Sequence, residues 1–150
     1  MTASRLNLQR VSPKVYQAMI ALHAAAAENL DPTLAGLIMI RASQLNHCAF
    51  CVDMHTHDAR QAGETEQRIY LLSAWEEAGT AFTEREQAAL ALTESITELI
   101  GRGHVPDEVY ARAAAVFSET ELAQVISMAT VINAWNRIGV TTRKRPPLRR

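Results

Sequence analysis

Ser43-Gln44-Leu45-Asn46-His47-Cys48-Ala49-Phe50-Cys51-Val52-Asp53-Met54-His55-Thr56-His57 is the stretch on which the reading of this chain turns. It contains both cysteines of the sequence and three of its five histidines. Asn46 is a favoured helix N-cap residue and no strong breaker follows before Gly63, so a helix over about 47–62 is predicted, with Cys48 in its first turn. At ~100° per residue, Cys48, Cys51 and His55 fall within ~60° of arc. Two thiols and an imidazole therefore share one face at a helix N-terminus.

That arrangement suits redox chemistry. A Cys-x-x-Cys pair at a helix start can close a disulfide within one turn. Unpaired backbone N–H groups and the helix dipole favour thiolate over thiol there. His55 follows Cys51 by one turn and can serve as its base, directly or through a water. Cys51 is read as the nucleophile and Cys48 as the partner that closes the disulfide. The reverse assignment stays open, because Cys48 lies nearer the helix end and feels the dipole more strongly. Zinc is a rival reading of the same residues. Against it, Cys48 and His55 lie ~10 Å apart along a helix axis, whereas ligands of one zinc sit within ~4 Å of each other. No second cysteine pair completes a tetrahedron. Inert buried thiols are the third reading.

The segment from Arg41 to Thr56 resembles the active-site segment of the AhpD-like alkylhydroperoxidases, in the carboxymuconolactone decarboxylase superfamily. The pattern Ser-x-x-Asn-x-Cys-x-x-Cys-x-x-x-His is met by Ser43, Asn46, Cys48, Cys51 and His55. The resemblance extends through Trp75 and 83–93 to 132–138, most of the chain. It implies an all-α bundle of six to seven helices and a dithiol/disulfide cycle at Cys48 and Cys51 assisted by His55. It also implies an external dithiol reductant, which for AhpD itself is a lipoyl-bearing protein, and a homo-oligomer, commonly a trimer or hexamer. No flavin, haem or metal is implied. One position departs from the pattern. AhpD proper carries a relay glutamate twelve residues before the first cysteine, and here that position is Gly36. The relay must then be shorter, use another carboxylate or be absent, with Glu76, Glu77 and Glu94 as the substitutes to consider.

The rest of the chain fits this picture. Its 150 residues are expected to form one domain with a real core. Hydrophobic content is 48% and aromatic content 5%, with Ala and Leu abundant, which favours helices. A formal net charge of −1 gives no reason to propose nucleic acid. Two cysteines at this spacing do not make an extracellular disulfide framework, the N-terminus lacks the apolar core of a signal peptide, and no run approaches a membrane span; a cytoplasmic home is expected.

Along the chain, 1–11 is expected to be an extended arm. Ser12-Pro13 should start a helix to about Asn29 with Val15, Met19, Leu22 and Ala26 on its stripe. His23, one position off that stripe, reads as a surface or half-buried histidine. Asp31-Pro32 should start a buried helix, in which Arg41 calls for an ion-pair partner. Phe50 and Met54 read as packing residues or pocket walls, and Asp53 with His57 as a surface pair. Thr65 should cap a helix over about 66–78 with Trp75 in the core. Thr83-Glu84-Arg85-Glu86 and Ser118-Glu119-Thr120-Glu121 are capping boxes. The helices behind them should reach about Ile100 and Ile138, with a loop at 101–103 and a short helix over about 106–117 between. The last helix is apolar nearly all round, which implies deep burial or a subunit contact. Its Asn133 and Asn136 need hydrogen-bond partners. The basic tail 141–150 is expected to be flexible.

The leading functional expectation is a thiol peroxidase acting on hydrogen peroxide or organic hydroperoxides. A general disulfide reductase or redox sensor uses the same residues without peroxide specificity. A non-enzymatic helical or zinc-binding module is the contrasting class.

Overall fold

In a computed structural model of the chain, residues 5–149 are described. Among them are nine α-helices, two short 3-10 segments and no strand. The all-α expectation holds. The excess over seven helices comes from two four-residue turns, α1 (Leu8–Val11) and α7 (Leu99–Arg102). The first falls within the expected extended arm; the second takes in Leu99 and Ile100 from the end of the helix expected to reach about Ile100, together with part of the loop expected at 101–103. Asn7 caps α1 by accepting a hydrogen bond from the Arg10 N–H, so the described part of the expected extended arm contains a helical turn.

The centre of the molecule is α3 (Pro32–Leu45). Asp31 opens it, with its carboxylate accepting from the Leu34 N–H at 2.9 Å and Pro32 in the first turn, where no N–H is needed. Leu34, Ala35, Leu37, Ile38, Ile40, Ala42 and Ser43 are all buried, on more than one side of the helix. Three neighbours enclose it: α4 (Ala49–Gln61), α6 (Glu84–Thr97) and α9 (Glu119–Thr142). The main core joins Ile38 and Ala42 to Ala88 and Leu92 of α6 and to Val125, Met128, Ala129 and Ile132 of α9, and α8 (Asp107–Val116) closes it with Ala113. A second cluster gathers Leu37, Ile40, Leu72, Trp75, Phe82 and Leu90. Here the predicted single helix over 66–78 divides into α5 (Glu66–Leu71) and a 3-10 segment, 72–77.

Both capping boxes form. Thr83 Oγ1 accepts from the Glu86 N–H while Glu86 accepts from the Thr83 N–H, and Ser118 and Glu121 repeat the exchange. The last helix runs four residues beyond its expected end and includes Thr141 and Thr142, so the tail begins later than expected. Its apolar surround is explained by burial inside the chain, against α2 (Pro13–Ala27), α3 and α6. Helix α2 differs most from its sequence reading. Val15 and Leu22 of the expected stripe are about half exposed, and Ala26 is the one residue of the helix that is buried. The side turned to the molecule carries Tyr16 and His23, and Tyr16 packs edge-on against Trp135 with ring centroids 5.2 Å apart.

Arg41 has the partner its environment demands. Its Nε donates to Glu94 Oε1 at 2.6 Å, and the indole N–H of buried Trp75 donates to the same oxygen at 2.7 Å. Arg68 bridges Glu64 and Glu86 with its guanidinium over the Phe82 ring. No helix of the described residues is long and apolar enough to cross a membrane.

Candidate active site

Helix α4 starts where α3 stops, with a single residue, His47, between their caps. Asn46 closes α3 as its C-cap, His47 takes a left-handed backbone conformation at φ 53°, and Cys48 is the N-cap of α4. The expected cap role of Asn46 is therefore replaced by another. Its amide group donates to Asn133 Oδ1 at 2.9 Å and to Asn136 Oδ1 at 3.0 Å, both on α9. Asn136 in turn donates to Ser43 Oγ at 2.9 Å, and Asn133 donates to Thr97 Oγ1 at 2.9 Å. Ser43, Asn136 and Thr97 are buried, so this chain of bonds satisfies groups that water cannot reach. It fixes the sharp α3–α4 junction, and with it the position of Cys48, against α9.

Cys48 and Cys51 are joined by a disulfide, with Cα atoms 5.3 Å apart. Both are buried, at 2% and 4% exposure. Their sulfurs face Gly139 of α9. A Cβ there would stand 2.9 Å from Cys48 Sγ and 3.5 Å from Cys51 Sγ, so only glycine admits the helix this close. Nothing comparable holds at Gly36, where a Cβ would meet no atom within 4 Å. The glycine at the position of the AhpD glutamate thus leaves open space rather than tight packing.

The two cysteines are not equivalent. A cavity of ≈ 390 Å³ opens between α2, α4 and α9, and Cys51 lines it whereas Cys48 does not. Its walls are largely apolar: Tyr16, Ile20, Phe50, Met54, Trp135 and Ile138. The polar groups that reach it are few, namely His23, His55, Asp58 and Lys144. His55, 7% exposed, is pushed down to about 4 by burial, against which the nearby Asp58 carboxylate acts only partly. It is a neutral imidazole at pH 7, able to accept a proton. His23, half-buried on α2, is also lowered by burial, and its charge acts on His55 across the cavity. Lys144 lies over the Phe50 ring, 3.9 Å from its centroid.

Several expected substitutes for a relay carboxylate lie elsewhere. Glu94 is held by Arg41 and Trp75, and Glu76 and Glu77 are exposed and do not line the cavity. Asp53 makes its ion pair with Arg149 of the tail, at 2.9 Å, rather than with His57. That pair holds its carboxyl below the usual range and lays the tail across α4. No cluster of three or more His, Cys, Asp or Glu suited to a metal ion occurs among the described residues. Sequence reasoning did not bring His23, Tyr16, Lys144 or Gly139 to the site. The signal for the first two was present: residues 16, 20, 23 and 24 form an i, i+4, i+7, i+8 stripe beside the one chosen.

The sequence pattern of the carboxymuconolactone decarboxylase family matches residues 13–95, more than half of the chain and including Cys48, Cys51 and His55. The uncharacterized protein YdfG of Bacillus subtilis (strain 168) is 41% identical over 139 residues, 92% of this chain and 93% of YdfG. The crystal structure of a protein of unknown function from Agrobacterium tumefaciens, provisionally described as the antioxidant defence protein AhpD, superposes with a TM-score of 0.92. It is 36% identical, over 98% of this chain and 100% of that one. The debrominase Bmp8, solved with 2,3,4-tribromopyrrole, shares the fold at a TM-score of 0.77 and 16% identity, over 91% of this chain and 72% of its own. On sequence and fold together, the chain belongs to the carboxymuconolactone decarboxylase family and is an AhpD-like member of it.

Proposed function

We propose that this protein is a thiol peroxidase that reduces organic hydroperoxides or hydrogen peroxide through Cys51 and Cys48. The observation that carries the reading is the asymmetry of the pair: Cys51 and a neutral, buried His55 line one apolar cavity, and Cys48 lies behind them against Gly139. In the reduced enzyme His55 accepts the Cys51 proton, and the thiolate attacks the terminal peroxide oxygen. Cys51 becomes a sulfenic acid as alcohol or water leaves. Cys48 then condenses with it, giving the disulfide and releasing one water. An external dithiol restores the pair. The apolar walls favour an alkyl or aryl hydroperoxide over hydrogen peroxide.

The assignment is tested with single-cysteine variants. In Cys48→Ser, cumene hydroperoxide should yield a sulfenic acid on Cys51 that dimedone traps and mass spectrometry maps. In Cys51→Ser, Cys48 should stay reduced over the same time. A trapped sulfenic acid on Cys48 instead would reverse the roles. Rapid exchange of the wild-type dithiol with a model disulfide, with no response to hydroperoxide, would favour the disulfide-reductase reading.

A further inference from the structure

His23 is one of the titratable groups of the cavity that the cycle above leaves without a task. It stands on α2, on the wall facing α4, and is half-buried. No hydrogen bond or ion pair engages it among the described residues, whereas the neighbouring Tyr16 is packed on Trp135 and Lys144 on the Phe50 ring. The remaining titratable groups of the cavity are His55 and Asp58 on α4.

The chemistry of the peroxide step needs what His23 can give. Splitting the O–O bond of an alkyl hydroperoxide expels an alkoxide, a strong base that departs slowly without a proton. His55 is a poor place to keep that proton, because it is almost fully buried. The less buried imidazole across the cavity is a better one. Mutual repulsion of the two imidazolium charges lets only one be protonated readily at a time.

We propose that His23 is a further catalytic residue, the general acid that protonates the departing oxygen of the hydroperoxide. The proposal rests on the peroxidase reading. In balance, Cys51 S–H gives its proton to His55, and the proton crosses the cavity from His55 to His23 through an intervening water. The thiolate forms an S–O bond to the terminal peroxide oxygen as the O–O bond breaks. Sulfur is oxidised by two electrons to the sulfenic acid, which keeps the terminal O–H, and the peroxide is reduced. The alkoxide leaves with the bonding pair, takes the proton from His23 and departs as alcohol, so both imidazoles end neutral.

The test exploits the leaving group. Acetate leaves peracetic acid as a stable anion, needing no proton, whereas the alkoxide of cumene hydroperoxide needs one. Reduced wild type, His23→Gln and Lys144→Gln are oxidised by each reagent in single-turnover stopped flow. Loss of a general acid is typically worth about 10²-fold or more. His23→Gln should therefore slow the cumene hydroperoxide reaction by ~10²-fold while its peracetic acid rate stays within about threefold of wild type. That second rate also certifies that the variant folds. Equal slowing with both reagents would make His23 a wall of the cavity only, and no slowing would remove it from the mechanism. The selective loss in Lys144→Gln instead would move the role to the ammonium. Wild type that reacts with cumene hydroperoxide no faster than free cysteine would end the peroxidase reading and the proposal together.

Discussion

Two glycines inside helices make a matched experiment on how closely α9 approaches the thiols. Gly36 and Gly139 sit in α3 and α9, and neither requires a left-handed conformation. On helix propensity alone, alanine at either position should stabilise the protein by ~1 kcal/mol. The structure separates them. At Gly36 a methyl group meets open space, so Gly36→Ala should realise that gain. At Gly139 the methyl would lie 2.9 Å from Cys48 Sγ, and this sulfur is buried and covalently held, so it cannot swing aside. Overpacking of this kind costs ~1–3 kcal/mol, which cancels or outweighs the propensity gain. The oxidised Gly36→Ala protein should thus exceed Gly139→Ala in stability by ~1–3 kcal/mol in urea unfolding. In thermal unfolding the gap is roughly 2–12 °C at ~2–4 °C per kcal/mol. Equal stabilisation of both variants would refute the close approach of α9 to the disulfide.

Three further predictions follow from single side chains. His55 is neutral in the fold, with its pKa depressed from 6.5 to about 4, so its contribution is present above pH 6.5 and is lost as pH falls toward 4. The loss between pH 7 and pH 4.5 should be about 2 kcal/mol and be absent from His55→Gln, which the difference between the two proteins' urea unfolding curves at those two pH values measures; identical pH dependence would contradict the burial argument. Asn46→Ala should cost ~1–3 kcal/mol, because it leaves Asn136 Oδ1 buried with no donor, and a loss under ~0.3 kcal/mol would mean that the junction is held by other means. Glu94→Gln should cost ~1–3 kcal/mol through the weakened hold on Arg41 and Trp75 yet leave peroxide reactivity within about threefold of wild type, whereas a ~10²-fold rate loss would return Glu94 to the proton relay.

Much of this architecture was legible because it is written in local chemistry. Asp31-Pro32, Thr83-Glu86 and Ser118-Glu121 announce helix starts through bonds made within four residues, and all three form. The shared face of Cys51 and His55, one turn apart in α4, follows from helix geometry alone, whereas Cys48, expected in the first turn, stands just outside the helix as its N-cap. What escaped depends on distant parts of the chain. Asn46 looks like a cap to its own neighbours, but its amide finds Asn133 and Asn136 nearly ninety positions away. Gly139 looks like a helix end until the sulfurs facing it are known. On α2 two apolar stripes compete, Val15–Leu22 and Tyr16–Ile20, and hydropathy does not choose between a face for solvent and a face for a cavity. His23 reads as a surface or half-buried histidine for that reason; it is half-buried, and what hydropathy does not give is the cavity it lines. The tail read as free because the pairing of Arg149 with Asp53 joins residues 96 positions apart.

The central claim is that the cavity presents Cys51 to a peroxide. The direct measurement is the rate at which the reduced, metal-free protein loses its two thiols to substoichiometric cumene hydroperoxide, followed by stopped flow beside His55→Ala. The account predicts oxidation orders of magnitude faster than free cysteine, the loss of thiols in pairs as the Cys48–Cys51 disulfide forms, and strong slowing in His55→Ala. Oxidation at the rate of free cysteine, unchanged by His55→Ala, would contradict it.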